Sequence, residues 1–574
     1  MTRPSYRAPR VSSGVAGLLT VAFVAVVPLQ PAKAQRVLGT IEDATVAPRG
    51  SIRVTAGISF SRADERFASG SPGGAARGQR EALGAHLSFD TLGVAAVERL
   101  APLTQPLRTL SSQPALALSL GALGVVLNRD VRTIPIAIDA GLTSRLTLGV
   151  YVPYHFVRHD VAVLPDAGGN LGLNPAATIG NAQVRNGQVH SQLTGAAARL
   201  RARLTSCETD PSGAGCADLL ANRQQALAFL SQADAGAAAL LAVYGDATRV
   251  GSPFAPIAGS TLEQAIFARL SAFNASFQSF LALPVDSVLI AARPVGATRL
   301  TLSDVNTFLT DSASGILAGP LESVEHGHIG DVEVSAKFLL YDGFQGRTSR
   351  RLARVDGIKA RLAIGAAYRF ANGMTSSPNN FADLGTGDGA PDIEARGYLD
   401  VVFGNRLWWS SVVRYGVPRS DTATLRIPDT TAFGFPAAYR LQNVNRTRGK
   451  YLEAEWSPRL VLNDFFAVAG YYRYRRSERD AYSGSFSVTD LSGNTRTLDA
   501  SALGVFSETQ EHRAGLALSY STIAGYAARR SAVPLELTLL LVRAVRGVGV
   551  PAETQASLSV RWYHKLLGPN ELRR

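Results

Sequence analysis

Residues 131–157 read VRTIPIAIDAGLTSRLTLGVYVPYHFV, and their periodicity decides the fold. Ile134, Ile136, Ile138, Ala140 and Leu142 alternate with Thr133, Pro135, Ala137, Asp139 and Gly141. Beyond the connection Thr143-Ser144-Arg145, Leu146, Leu148, Val150, Val152 and Phe156 alternate with Thr147, Gly149, Tyr151, Pro153 and His155. Period two on both sides of a short turn is a β-hairpin with one apolar face and one polar or small-residue face. About nine to eleven tilted residues cross a bilayer, whereas soluble strands cluster near five or six, so this length suits a membrane. The hairpin therefore reads as part of a transmembrane barrel, with its apolar face toward lipid.

The N-terminus sets the compartment. Arg3, Arg7 and Arg10 precede an apolar run from Val15 to Leu29, and Ala32-Lys33-Ala34 is a small-x-small cleavage site. Residues 1–34 thus read as a secretory signal peptide. Nothing later reaches eighteen consecutive apolar residues, so a membrane-embedded chain must cross as a closed barrel. Removal of residues 1–34 takes away four basic groups and no acid, and leaves +9 of the formal +13. The surplus is almost all arginine. In an exported chain these guanidinium groups meet lipopolysaccharide phosphates and lumenal carboxylates, not nucleic acid. Cys207 and Cys216 flank an Asp-Pro-Ser-Gly turn and in an oxidising compartment are expected to form one local disulfide.

Alternation also marks 51–61, 331–340, 361–369, 393–403, 407–417, 452–460, 466–474, 511–521, 535–545 and 554–563. With the hairpin, that is an all-β transmembrane barrel of about 12 antiparallel strands. Possible strands at 82–89 and 116–127 would raise the number to 14; either even number closes a bacterial barrel. Short connections at 143–145, 404–405 and 462–464 alternate with long ones, which places the short turns in the periplasm and the long loops outside. Aromatics gather at both ends of the strands, as two interfacial girdles would.

The charged residues choose one strand parity. Asp331, Glu333, Lys337, Arg361, Arg369, Asp392, Glu394, Arg396, Arg414, Glu453, Glu455, Arg473, Glu511 and Arg513 all fall on the inward parity, as do Lys359, Asp400, Arg459, Arg475, Glu536 and Arg561. On the lipid face, Arg or Lys near the midplane costs about 2–4 kcal/mol. These residues are read as a lumen lining, either of a polar channel or of a narrow barrel braced by ion pairs.

Between His159 and Ile329 the pattern turns helical. Ser260-Thr-Leu-Glu263 is a capping box, followed at helical spacing by Ile266, Leu270, Phe273, Phe277 and Leu281. Val189–Leu204, Ala217–Tyr244 and Ser303–Leu317 read the same way. The domains are then residues 1–34, the leader; 35–158, the first strands and a long loop; 159–329, an α-helical extracellular insertion acting as cap or plug; and 330–574, the remaining strands. His155, His159, His326 and His328 flank the insertion and offer nitrogen ligands for a divalent metal, against the plainer reading of solvated rim histidines. No nucleophile elbow, phosphate loop or cofactor motif is present, so no catalytic residues and no cofactor are assigned.

Pro135 with the Ala140–Gly149 segment, then Val152-Pro153-Tyr154, Ile329-Gly-Asp-Val332 and Leu384-Gly-Thr-Gly387 resemble the outer-membrane family of the MetA pathway of phenol degradation. That family is related to long-chain fatty-acid transport barrels. The resemblance implies a bacterial outer-membrane transporter for small hydrophobic or amphiphilic solutes, aromatic or fatty-acid-like, inserted by the barrel-assembly machinery. Two other readings stand beside it: a surface-binding or structural protein anchored by its barrel, and a barrel-embedded hydrolase. Two departures are visible, the size of the insertion and a chain end at Leu566–Arg574 in place of a terminal aromatic.

Overall fold

The computed structural model describes residues 42–71, 74–166, 168–177, 180–343, 357–404, 406–428, 435–527 and 529–567. The leader expected at residues 1–34 and most of the turn 343–357 lie outside the described residues. Twelve strands close into one antiparallel barrel: β1 Ser51–Ala63, β2 Leu123–Gly141, β3 Leu146–Pro165, β4 Glu333–Asp342, β5 Ile358–Arg369, β6 Asp392–Phe403, β7 Leu407–Pro418, β8 Tyr451–Val461, β9 Phe466–Ser477, β10 Thr509–Ser521, β11 Leu535–Val548 and β12 Thr554–Lys565. Each pairs with its neighbour in sequence, and β1 closes on β12 from Ser51↔Lys565 to Arg62↔Thr554. Closure removes the free edges that lipid could not satisfy. A thirteenth short strand, Val324–Ile329, pairs with the upper part of β3 above β4. One extra residue in 330–332 shifts the register between them, from His155↔His328 to Tyr151↔Glu333. This is a bulge in one interrupted strand, so the barrel remains twelve-stranded.

The doubtful strands of the first long loop are corrected. Residues 83–87 form a 3-10 turn, and the second segment becomes strand only from Leu123, where it lengthens β2. β2 and β3 thereby rise above the membrane as a two-stranded ribbon. The outward parity is apolar: Ile136, Ile138, Leu148, Val150, Leu362, Ile364, Leu399, Leu516, Leu539 and Leu541 are exposed. Ring pairs Tyr154–Phe156 (4.9 Å) and Tyr368–Phe370 (4.8 Å) mark the outer edge of this belt, and Phe466–Tyr520 (5.2 Å) marks the inner. A Leu148→Arg substitution in the belt should cost about 2–4 kcal/mol. Urea titration in liposomes measures this, with Leu142→Arg at the turn as the mild control.

Above the rim sits a helical domain: α1 Thr104–Ser111, α2 Gly180–Thr209, α3 Cys216–Ala221, α4 Arg223–Tyr244, α5 Thr261–Leu281 and α6 Leu302–Thr310. Cys207 at the end of α2 is disulfide-bonded to Cys216 at the start of α3. The Ser260 hydroxyl accepts from the Glu263 amide at 3.2 Å, while the Glu263 carboxylate reaches back to the Gly259 amide at 2.6 Å. A complete capping box forms at Thr301 and Asp304. The barrel strand β3 persists to Pro165 and its pairing partner begins at Val324, and a small sheet of Leu171–Leu173 with Phe254–Pro256 lies between, so the helical part is narrower than 159–329. It is also not self-contained. Leu100, Leu107 and Leu110 from the first loop, Leu193 and Leu240, Ile266 and Phe277, and Phe435 share one buried core. Periodicity showed the amphipathic helices but not which loop covers them.

His86 is buried in this domain, its Nδ1 3.0 Å from the Leu83 carbonyl. Burial first, and then the Arg66 charge, push its pKa from 6.5 down to about 3. The folded value lies below the unfolded one, so the stability that goes with a neutral ring is complete above about pH 6.5 and is withdrawn as pH falls toward 3. Each pH unit inside that window removes up to about 1.4 kcal/mol. Acid is expected to loosen the helical domain before the barrel; helix content against pH checks it, with His86→Gln flattening the slope.

Candidate functional site in the barrel lumen

Strand parity turns alternate side chains inward, and the charged ones meet in a connected network. Asp331, Glu333, Arg361, Arg369, Asp392, Glu394, Arg396, Arg414, Glu453, Glu455, Arg473, Glu511 and Arg513 are all buried, and Lys337 is partly so. Arg396 bridges Glu394 and Glu333, the latter at 2.7 Å, and Arg369 lies 3.0 Å from Asp392. Arg414 holds Glu453, Glu455 at 3.0 Å and Glu42 at 3.1 Å. Near the outer mouth Arg473 and Arg513 share Glu511 at 2.7 Å each, and Arg513 also reaches Glu553 at 2.6 Å. The Tyr451 hydroxyl donates to Glu394 at 2.7 Å while Arg475 lies over its ring. Arg361, fully buried, stands 3.4 Å from Asp342. Asp331 sits at the strand interruption and accepts from the amides of Gly373 and Asp388 at 2.9 and 3.2 Å.

The sequence reading missed a segment that lies inside the lumen. Residues 42–48 fold into the barrel before β1 begins, and Glu42 through Ala47 are buried. No strand ladder holds them. The Ala44 amide donates to Asp400 at 3.0 Å, the Ala47 amide to the Thr147 hydroxyl at 2.8 Å, and Lys337 to the Asp43 carbonyl at 2.9 Å. Ala44 and Val46 pack against Leu339, Ala363, Tyr398 and Val412. Beside them a cavity of about 30 Å³, lined by Asp43, Arg53, Lys337, Arg396 and Tyr398, has room for a water or two. The available signal was the acid pair Glu42-Asp43, placed just ahead of the first strand of an arginine-rich chain. Arg53 with Asp139 (3.0 Å) and Glu553 were likewise overlooked. Each falls on the inward parity or beside it.

The rim histidines meet in register but not as a ligand set. His155 pairs across the sheet with His328, and Val157 with His326. His155 contacts the Thr133 hydroxyl at 2.9 Å, His159 the Ala382 carbonyl at 2.7 Å, and His328 the Ile329 carbonyl at 2.7 Å. His326 faces Asp383 at 3.9 Å. Among the described residues no three His, Cys, Asp or Glu side chains gather to hold a metal ion, which corrects the proposed metal set. His159 and His326 both engage the loop 380–383 through Nδ1.

The chain is similar to outer-membrane channels. A search of solved structures finds an outer-membrane channel from Pseudomonas putida F1 (8% identity, TM-score 0.39, 92% of this chain and 99% of that one). It also finds the P. putida toluene transporter TodX (10%, 0.25, 94% and 100%) and a Pseudomonas aeruginosa FadL homologue (9%, 0.27, 95% and 100%). No family model and no curated protein matches. Likenesses this distant assign no family, no substrate and no residue role.

Proposed function

We propose that this protein is an outer-membrane channel that admits small hydrophobic or amphiphilic solutes, its pore closed at rest by residues 42–48. The observation that carries this reading is that residues 42–47 are buried inside the ion-paired wall. The stopper is a segment of the chain itself, without strand pairing, and its contacts include hydrogen bonds to Asp400, Thr147 and Lys337, an ion pair from Glu42 to Arg414 and an apolar contact through Ala44 and Val46. A structural anchor has no need of a plug separate from its wall, whereas a gated channel does. The ion-paired wall keeps the barrel rigid while the stopper moves. Tyr398, Val412 and Leu339 would then give a passing apolar solute its contact surface, with the buried arginines and carboxylates already neutralising one another.

The rival reading, a surface-binding protein on a barrel anchor, draws support from the size and shared core of the extracellular domain. Flux of toluene and of a medium-chain fatty acid into liposomes separates the two. A channel gives protein-dependent uptake above that of empty vesicles, and an anchor gives none.

A further inference from the structure

We infer that the outer wall of β9, β10 and β11 carries a binding site for a diphosphorylated lipid headgroup of the outer leaflet. The inference rests on the outer-membrane reading of the barrel. Arg476 on β9 and Arg543 and Arg546 on β11 are exposed on the lipid-facing side, at the height of Tyr472 and Tyr474. Arg546 would face the lumen by parity, since Glu536, Thr538, Leu540, Val542 and Ala544 all do. A bulge at Val545 changes the register, pairing Arg513 with Ala544 but His512 with Arg546, and so turns Arg546 outward. Bulges re-aim side chains in this way, and one that brings a cation to a membrane surface needs a reason.

Between the arginines lies a fixed platform. His512 stands across from Tyr474 on one side and Arg546 on the other, and its ring nitrogens contact the Tyr472 hydroxyl at 2.6 Å and the Gln510 amide at 3.0 Å. Among the described residues none of the three arginines has an ion-pair partner. The carboxylates nearby are committed elsewhere: Glu511 and Glu553 face inward, and Glu508 is engaged by Arg77. Glu478 lies two residues beyond Arg476, past the end of the strand. On the strands beyond β12, two cations at the same height are neutralised locally, Arg62 on β1 by Asp130 at 3.9 Å and Arg158 on β3 by Asp160 at 2.8 Å. The unmatched trio thus presents a planar-donor surface suited to phosphate at the level where lipid headgroups lie.

Native mass spectrometry of the detergent-purified full chain tests this, using diphosphoryl hexa-acyl lipid A, its dephosphorylated counterpart and inorganic phosphate as probes. Wild type should bind the diphosphoryl lipid, and R543Q/R546Q should weaken it by roughly tenfold or more. R158Q should leave binding unchanged, and the dephosphorylated lipid should show no dependence on the arginines. If the double variant does not fold, as judged by heat-modifiable migration, R476Q and R546Q are read singly. Equal binding by wild type and the arginine variants overturns the inference. So does inorganic phosphate competing at the lipid's own concentration, which would mark a free-anion site. The readout needs no flux, so its failure is distinct from failure of the channel reading.

Discussion

A variant whose mature chain starts at Pro48 is expected to conduct where the full chain is closed. Residues 42–47 occupy the lumen next to a cavity of only about 30 Å³, so their removal opens space at this level of the lumen. The barrel should survive, because β1 begins at Ser51 and its pairing with β2 and β12 uses none of the deleted residues. The groups left behind are able to hydrate: Asp400 keeps the Ser410 hydroxyl at 2.8 Å, and Lys337 keeps the Tyr398 ring at 3.8 Å. Planar-bilayer recordings should show steady conductance severalfold above that of the full chain, with heat-modifiable migration unchanged. An identical closed trace would mean that the ion-paired wall alone seals the pore.

Arg414→Ala is expected to be the most damaging single substitution in the lumen. The guanidinium holds Glu42, Glu453 and Glu455 together. Without it three buried carboxylates face one another, and breaking a buried pair by removing one partner costs about 3–5 kcal/mol. Arg475 at 3.4 Å from Glu453 and Tyr471 at 3.1 Å from Glu455 offset only part of that loss. The substitution also frees the stopper from its ion pair. The expected result is a lowered unfolding midpoint together with brief openings. Glu42→Gln, which removes the stopper's contact alone, should give the openings with little loss of stability.

Much of this architecture was legible because a barrel wall is a one-dimensional code. Leu148 and Thr147, or Leu362 and Arg361, differ by one position and face opposite solvents, so parity alone assigned them. The disulfide was legible because Cys207 and Cys216 are neighbours in sequence, and the helices because Ile266, Leu270 and Phe277 repeat at helical spacing. What escaped depended on contacts between distant segments. Leu107 enters the helical core on the short helix α1 of the first long loop, and Phe435 from a loop far along the chain; neither segment carries a long period. Residues 42–48 have no regular structure at all, and their place is fixed by Asp400 and Thr147, 356 and 100 positions away. The metal set failed for a related reason: register brought His155 to His328, but Ala382 and Asp383, from a loop far along the chain, engage His159 and His326.

The central claim, that residues 42–48 gate a solute path, is tested most directly by fastening them in place. The Ala47 amide lies 2.8 Å from the Thr147 hydroxyl, so A47C/T147C sets two thiols on neighbouring segments, and loss of free thiol on oxidation verifies the crosslink. Toluene flux into liposomes is then measured for the oxidised and the reduced double variant, with wild type under the same reductant as control for Cys207–Cys216. The expected result is no protein-dependent flux when oxidised and wild-type flux once reduced. Flux that is unchanged by the crosslink would contradict the account, because the solute would then have a path that the stopper does not control.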